Sequence, residues 1–156
     1  MTAAAPPFAL DPRLAAASAP VRVLELCELR LQNDVRWPWL VLIPRRPGLV
    51  EIADLPAPER AQLIEEAVIA GEAVHALGQA LGRPVQKLNT GALGNIVPQL
   101  HLHVLGRCPD DPAWPGPVWG FGEPEPYAPA ELERARAALV ARLEEGASRR
   151  TPTALA

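Results

Sequence analysis

The stretch Gln99-Leu100-His101-Leu102-His103-Val104-Leu105 constrains this chain more than any other. Its residues alternate strictly, with Gln99, His101 and His103 on one side and Leu100, Leu102 and Val104 on the other. Successive side chains of a β-strand point to opposite faces, so the pattern predicts a half-buried strand running from Gln99 to Arg107. Two of the three histidines then share one face, roughly 7 Å apart along the strand, with an amide beside them. Ahead of them runs Asn89-Thr90-Gly91-Ala92-Leu93-Gly94-Asn95, a loop of the kind that can bring backbone N–H groups close to an anion. A base, a polar neighbour and an oxyanion cradle are the parts a phosphoryl-transfer site needs.

The 156 residues suffice for one domain with its own core. With 49% apolar and 21% charged residues the composition is that of an ordinary globular chain. A net charge of −3 gives no support to nucleic acid or membrane held by bulk electrostatics. No apolar run is long enough to span a bilayer, and Met1 to Ala5 lacks the basic start and apolar core of a signal peptide. The two cysteines, Cys27 and Cys108, have no metal-type spacing, so a reduced, cytoplasmic protein is expected.

The 19 prolines cluster near residues 6–20, 38–58 and 109–129 and mark turns and extended segments. Residues 1–20 read as an irregular N-terminal arm with one short helical turn from Pro12 to Ala17, and residues 21–146 as the folded domain. Val21 to Leu31 reads as a first strand, Gln32-Asn33-Asp34 as a turn, and Trp39 to Pro44 as a strand apolar on both faces. From Pro58 to Leu81 apolar residues follow a helical period that Gly82 closes. Val85 to Asn89 predicts a short strand, Cys108 to Tyr127 a long loop, and Ala130 to Glu145 a C-terminal helix, with residues 147–156 as a tail. That order implies an α+β domain, a mainly antiparallel sheet with helices against one face.

The stretch from Gln99 to Leu105 resembles the signature of the histidine triad (HIT) superfamily, His-x-His-x-His with apolar x, in a branch carrying glutamine in the first slot. The resemblance implies a HIT-like fold, a homodimer, and a nucleotide or nucleotide conjugate as substrate. In the family the middle histidine attacks a nucleotide α-phosphate and holds the covalent nucleotidyl intermediate; here that role falls on His101. The third, which contacts the phosphate and leaving group, falls on His103, and Gln99 completes the catalytic set. By register the family's earlier strand histidine is replaced here by Trp39. The paired change at Trp39 and Gln99 looks like a coupled variation that keeps the nucleophile.

Carried over in the same way, Asn33, with Asp34 beside it, takes the ribose-binding position. Asn89 and Asn95, flanking the glycine loop with Gly94, take positions facing the phosphate, and Arg107 is within reach of one. Trp114-Pro115-Gly116 resembles a Trp-Pro segment that approaches the partner subunit's site in one branch. The resemblance implies a hydrolase or nucleotidyl transferase for phosphoesters, phosphoanhydrides or phosphoramidates; no cofactor is required, and a divalent metal can accompany the nucleotide substrate.

The residues alone leave alternatives. Turn formation is an equal account of Asn33 and Asn95. His101 and His103 could share a metal ion, although no third ligand has the right spacing and His75 belongs to a helix. A nucleotide-binding protein with little turnover is the other alternative.

Overall fold

The computed structural model describes residues 7–150, with side chains to residue 148. A short helix α1 (Pro12–Ala17) leads into strands β1 (Ser18–Val23), β2 (Cys27–Gln32) and β3 (Trp39–Pro44). After a 3-10 turn at Ile52–Asp54 come the long helix α2 (Ala57–Ala80), strands β4 (Lys87–Gly91) and β5 (Leu102–Arg107), and helix α3 (Pro129–Arg150). The five strands form one sheet in the order β1-β2-β3-β5-β4, antiparallel at every junction.

The expected single strand from Val21 to Leu31 is two strands of a hairpin. Its corner, Leu24 to Leu26, carries no glycine, proline or asparagine, so no local turn signal marks it. A residue of α2, 40 positions from Leu26, holds it instead: buried Glu66 accepts hydrogen bonds from the N–H groups of Leu26 at 2.7 Å and Cys27 at 2.9 Å. The same environment pushes the Cys27 thiol up, first by burial and then through Glu66. Residues 18–20, assigned above to the arm, belong to β1, and α3 continues through residues 147–150, assigned to the tail. Residues 1–6 and 151–156 of those two segments lie outside the described residues.

Strand β3 explains its own continuous apolarity, since all six of its residues are buried. Leu40 and Leu42 face α2 and α3 in a core with Leu29, Leu102, Val74, Leu77 and Leu139. Trp39, Val41 and Ile43 point to the other face, into a second cluster with Leu14, Trp37, Leu105 and Val118. That second face is covered by the segment around α1 and by the loop between β5 and α3, against which Phe8, Leu10 and Trp119 also pack. The sheet is therefore sandwiched between a helical layer and an irregular one, and His103 of β5, with His101 just before the strand, faces the irregular layer. Helix α2 ends where expected, with Gly82 at φ 65° taking the left-handed backbone that closes a helix.

Candidate active site

Strand β5 is interior to the sheet, between β3 and the edge strand β4, with Leu102 opposite Leu42 and His103 opposite both Val41 and Gly91. Its alternation places Leu100, Leu102 and Val104 in the helical core. His101 and His103 emerge on the opposite face with their ring centroids 4.9 Å apart and nearly perpendicular, at 81°. Both rings are largely buried, 7% and 8% exposed, which removes most of the water that would otherwise saturate their nitrogens.

The hydrogen bonds of the two rings fix complementary roles. His101 Nδ1 lies 2.7 Å from the Gln99 carbonyl oxygen. A carbonyl only accepts, so Nδ1 carries the proton and Nε2 keeps its lone pair. At His103 the sense is reversed: the Trp39 indole Nε1–H donates to Nδ1 at 3.0 Å. An indole nitrogen only donates, so Nδ1 is the lone-pair nitrogen and Nε2 bears the proton. Protonating Nδ1 would set N–H against N–H. Burial, and then the neighbouring His101, push the His103 pKa down to about 3, so the ring is neutral at ordinary pH. Trp119 completes the aromatic surround, edge-on to His103 at 5.7 Å and to Trp39 at 6.1 Å.

These groups line a cleft of about 400 Å³. One wall is the turn after β4, Gly94 to Val97, where Gly94 takes φ 68°, a backbone that favours glycine and turns the chain back towards His101. Another is the segment from Val118 to Gly122. The far wall is Gln32, Asp34 and Arg36 at the β2–β3 connection. There Arg36 grips Asp34 through Nε at 2.8 Å and Nη2 at 2.7 Å. Its guanidinium also stacks over Trp37 at 4.5 Å.

Of the residues expected at the site, His101, His103, Trp39, Gly94, Asn95 and Asp34 line the cleft. Four expected residues are engaged elsewhere. Asn33 turns its side-chain oxygen to the Tyr127 N–H at 3.0 Å, fastening the start of α3. Arg107, 2% exposed, lies at the other end of β5 in a closed network: Asp111 at 2.7 and 3.1 Å, the Gly116 carbonyl at 2.8 Å and the Asn89 side chain at 2.8 Å. Burial, the largest single influence, would raise the Asp111 carboxyl, but the hydrogen bonds and charge around it, those of Arg107 first, together hold the carboxyl below its usual range. Arg107 and Asn89 thus fasten the long loop to the sheet, away from the cleft. Gln99, the fourth, directs both side-chain amide atoms to the segment before α1.

Gln32 and Arg36 are cleft residues that the sequence did not single out, and Trp119, a tryptophan of the long loop that reads in the sequence as a core anchor, lines the cleft as well. An arginine two positions after an aspartate in a turn was the available signal for Arg36. Of the two loop tryptophans Trp119 is the anchor; Trp114 is 41% exposed, beneath Arg107 at 5.8 Å. His75 lies exposed on α2. Among the described residues no three His, Cys, Asp or Glu side chains gather as a metal site would require, and no helix is long and apolar enough to cross a membrane.

Comparison with known proteins agrees with this geometry. The chain matches the family model "HIT domain" over residues 16–110. A histidine triad protein from Marinobacter aquaeolei VT8 superposes with a TM-score of 0.81 at 41% identity, covering 90% of this chain and 98% of that one. One from Sinorhizobium meliloti 1021 gives 0.78 at 44% identity, over 86% and 96%. A third, from Bradyrhizobium japonicum, gives 0.78 at 38% identity, over 88% and 99%. No curated protein matches the chain. With His101 and His103 on the cleft face, an α+β fold shared with these structures and the family model spanning the sheet, the chain belongs to the histidine triad family.

Proposed function

We propose that this protein hydrolyses, or transfers the nucleotidyl group of, a nucleotide phosphoester, phosphoanhydride or phosphoramidate, through an intermediate on His101. The observation that carries the reading is the opposed hydrogen bonding of the two imidazoles, one offering a lone pair at Nε2 and the other a proton at Nε2. In the reaction, His101 Nε2 attacks phosphorus as the bond to the leaving group breaks and that group departs with the bonding pair. The ring keeps its Nδ1 proton and takes a positive charge, which the Gln99 carbonyl oxygen stabilises. Water then attacks phosphorus, the nitrogen–phosphorus pair returns to the ring, and the proton shed by water neutralises the leaving group through solvent.

His103 serves here as a hydrogen-bond donor to the phosphoryl oxygens, together with the Gly94 to Val97 backbone. It does not serve as an acid, because losing its only proton would leave an imidazolate. Asp34, already gripped by Arg36, presents a fixed wall towards a ribose. No resident cofactor enters any step. A homodimer, as in the resemblance, is part of the proposal, and a divalent ion would enter only with the substrate.

The test is mass spectrometry of the protein mixed with an adenosine phosphoramidate, beside a His101→Ala variant, each with and without a chelator. The expected result is a transient adduct of nucleotide mass on the unmodified chain only, indifferent to chelator. Binding by calorimetry without adduct or turnover would replace this reading with that of a nucleotide-binding protein.

A further inference from the structure

We propose that Gln99 is a positioning residue for His101, fastening the segment before α1 to the carbonyl that orients the nucleophile. The proposal rests on the reading of His101 as nucleophile. Its physical basis is a gap in the sheet. The carbonyl that accepts the His101 Nδ1 proton belongs to Gln99, yet β5 begins only at Leu102, so residues 99–101 lie off the ladder. The Leu100 N–H donates to the Leu49 carbonyl at 3.0 Å, a backbone tie on the side towards the helical core.

On the cleft side the tie is made by the Gln99 side chain. Its Oε1 accepts the Asp11 N–H at 2.8 Å and its Nε2 donates to the Ala9 carbonyl at 2.8 Å. The primary amide thereby imitates one step of a strand ladder, donor and acceptor both filled by residues two apart. A hydroxyl could not supply both at that spacing, and a histidine in this slot presents one acceptor and one donor on a rigid ring.

The segment so clasped is itself fixed at both ends. Phe8 and Leu10 pack into the second cluster beside Trp37, Trp39 and Val97. Asp11 caps α1 by accepting the Arg13 N–H at 2.8 Å and also grips the Arg13 guanidinium at 2.8 and 3.1 Å. Arg13 in turn donates to the Ile96 carbonyl at 3.0 Å, in the glycine turn that forms one wall of the cleft. The carbonyl behind the nucleophile and the turn that faces the phosphate are therefore held by the same segment, residues 8–13. The first slot of the signature has become a fastener for the whole His101 side of the site.

The experiment compares the full-length chain with Gln99→Leu and Gln99→Glu variants by imidazole nitrogen chemical shifts, amide exchange and single-turnover kinetics with an adenosine phosphoramidate. For Gln99→Leu we expect His101 to lose its single Nδ1–H tautomer and the Asp11 amide to lose protection. Its rate should fall roughly 10- to 100-fold with KM within about twofold, because the nucleophile is misplaced while the cleft is intact. The Gln99→Glu variant keeps the acceptor for Asp11 but sets an anion against the Ala9 carbonyl. It should be intermediate, and should recover relative to wild type as pH falls and its protonated form donates to Ala9; this arm decides alone if Gln99→Leu does not fold. An unchanged His101 tautomer with a protected Asp11 amide in Gln99→Leu, or a Gln99→Glu profile parallel to wild type, would overturn the proposal. If the wild type forms no adduct, the functional reading fails while the tautomer and exchange measurements still decide the role of Gln99.

Discussion

Replacing Trp39 by Phe tests the electrostatic core of the site. The phenyl ring can still pack between Trp37, Trp119 and His103, so the substitution chiefly deletes the indole N–H that His103 Nδ1 accepts at 3.0 Å. Leaving that buried nitrogen without a donor costs about 1–3 kcal/mol. The hydrogen bond favours only the neutral ring, and one pKa unit is about 1.4 kcal/mol, so the His103 pKa should rise from about 3 by roughly one to two units, burial keeping it below 6.5.

The sign for stability follows. His103 in the folded chain titrates near 3, against 6.5 when exposed, so between those values the unfolded chain binds more protons. Folding stability from this group is present above about pH 6.5 and is lost as pH falls towards 3, a loss on the order of 4–5 kcal/mol. In Trp39→Phe the total loss should shrink by about 1–3 kcal/mol and level off at higher pH. Urea unfolding at half-unit pH steps, paired with an NMR titration of His103, measures both quantities. A variant whose stability falls with pH as steeply as wild type, with His103 titrating at the same place, would refute the assignment of His103 Nδ1 as an acceptor locked by Trp39.

Four other outcomes are expected. His101→Ala should lower phosphoramidate turnover by about 10³-fold or more and abolish the adduct, read by stopped-assay kinetics and intact mass. Because His103 cannot give up its only proton without becoming an imidazolate, log kcat should fall steeply as the leaving group becomes more basic; a flat series would show that an acid is present after all. Arg107→Met should destabilise the fold by about 3–5 kcal/mol by stranding buried Asp111, while nucleotide affinity of the folded fraction stays within twofold. Glu66→Gln should cost about 1–3 kcal/mol in denaturant unfolding, since an amide cannot accept from Leu26 and Cys27 without turning a donor towards one of them.

What the sequence disclosed, and what it did not, follows from the range of the interactions. The face carried by His101 and His103, the double-sided burial of Trp39 to Pro44 and the two long helices are written in local periodicity, which backbone geometry obeys wherever one side must be dry. The corner at Leu24 to Leu26 was hidden because a carboxylate from α2, distant in sequence, holds it. Asn89 and Arg107 looked available because their polarity was visible, whereas they bond each other and Arg107 is gripped by Asp111, a loop residue with no period of its own. The same holds for Gln99: an amide in a signature slot reads as chemistry until the segment it clasps is in place. Trp39 was located by register as a substituted position, but that its N–H meets His103 depends on cross-strand neighbours, Val41 opposite His103 and Trp39 opposite Leu105.

The grip of Arg36 on Asp34 governs how a substrate arrives. Among the described residues lining the cleft, Arg36 is the sole arginine or lysine, and its charge is cancelled a bond length away by a carboxylate. The chain as a whole carries −3. An anionic nucleotide, the substrate proposed above, would therefore approach with no attractive field to focus its diffusion. Capture should proceed at the unassisted encounter rate and vary little with ionic strength, and the protein is suited to a ligand that is abundant rather than one that must be drawn from dilute solution.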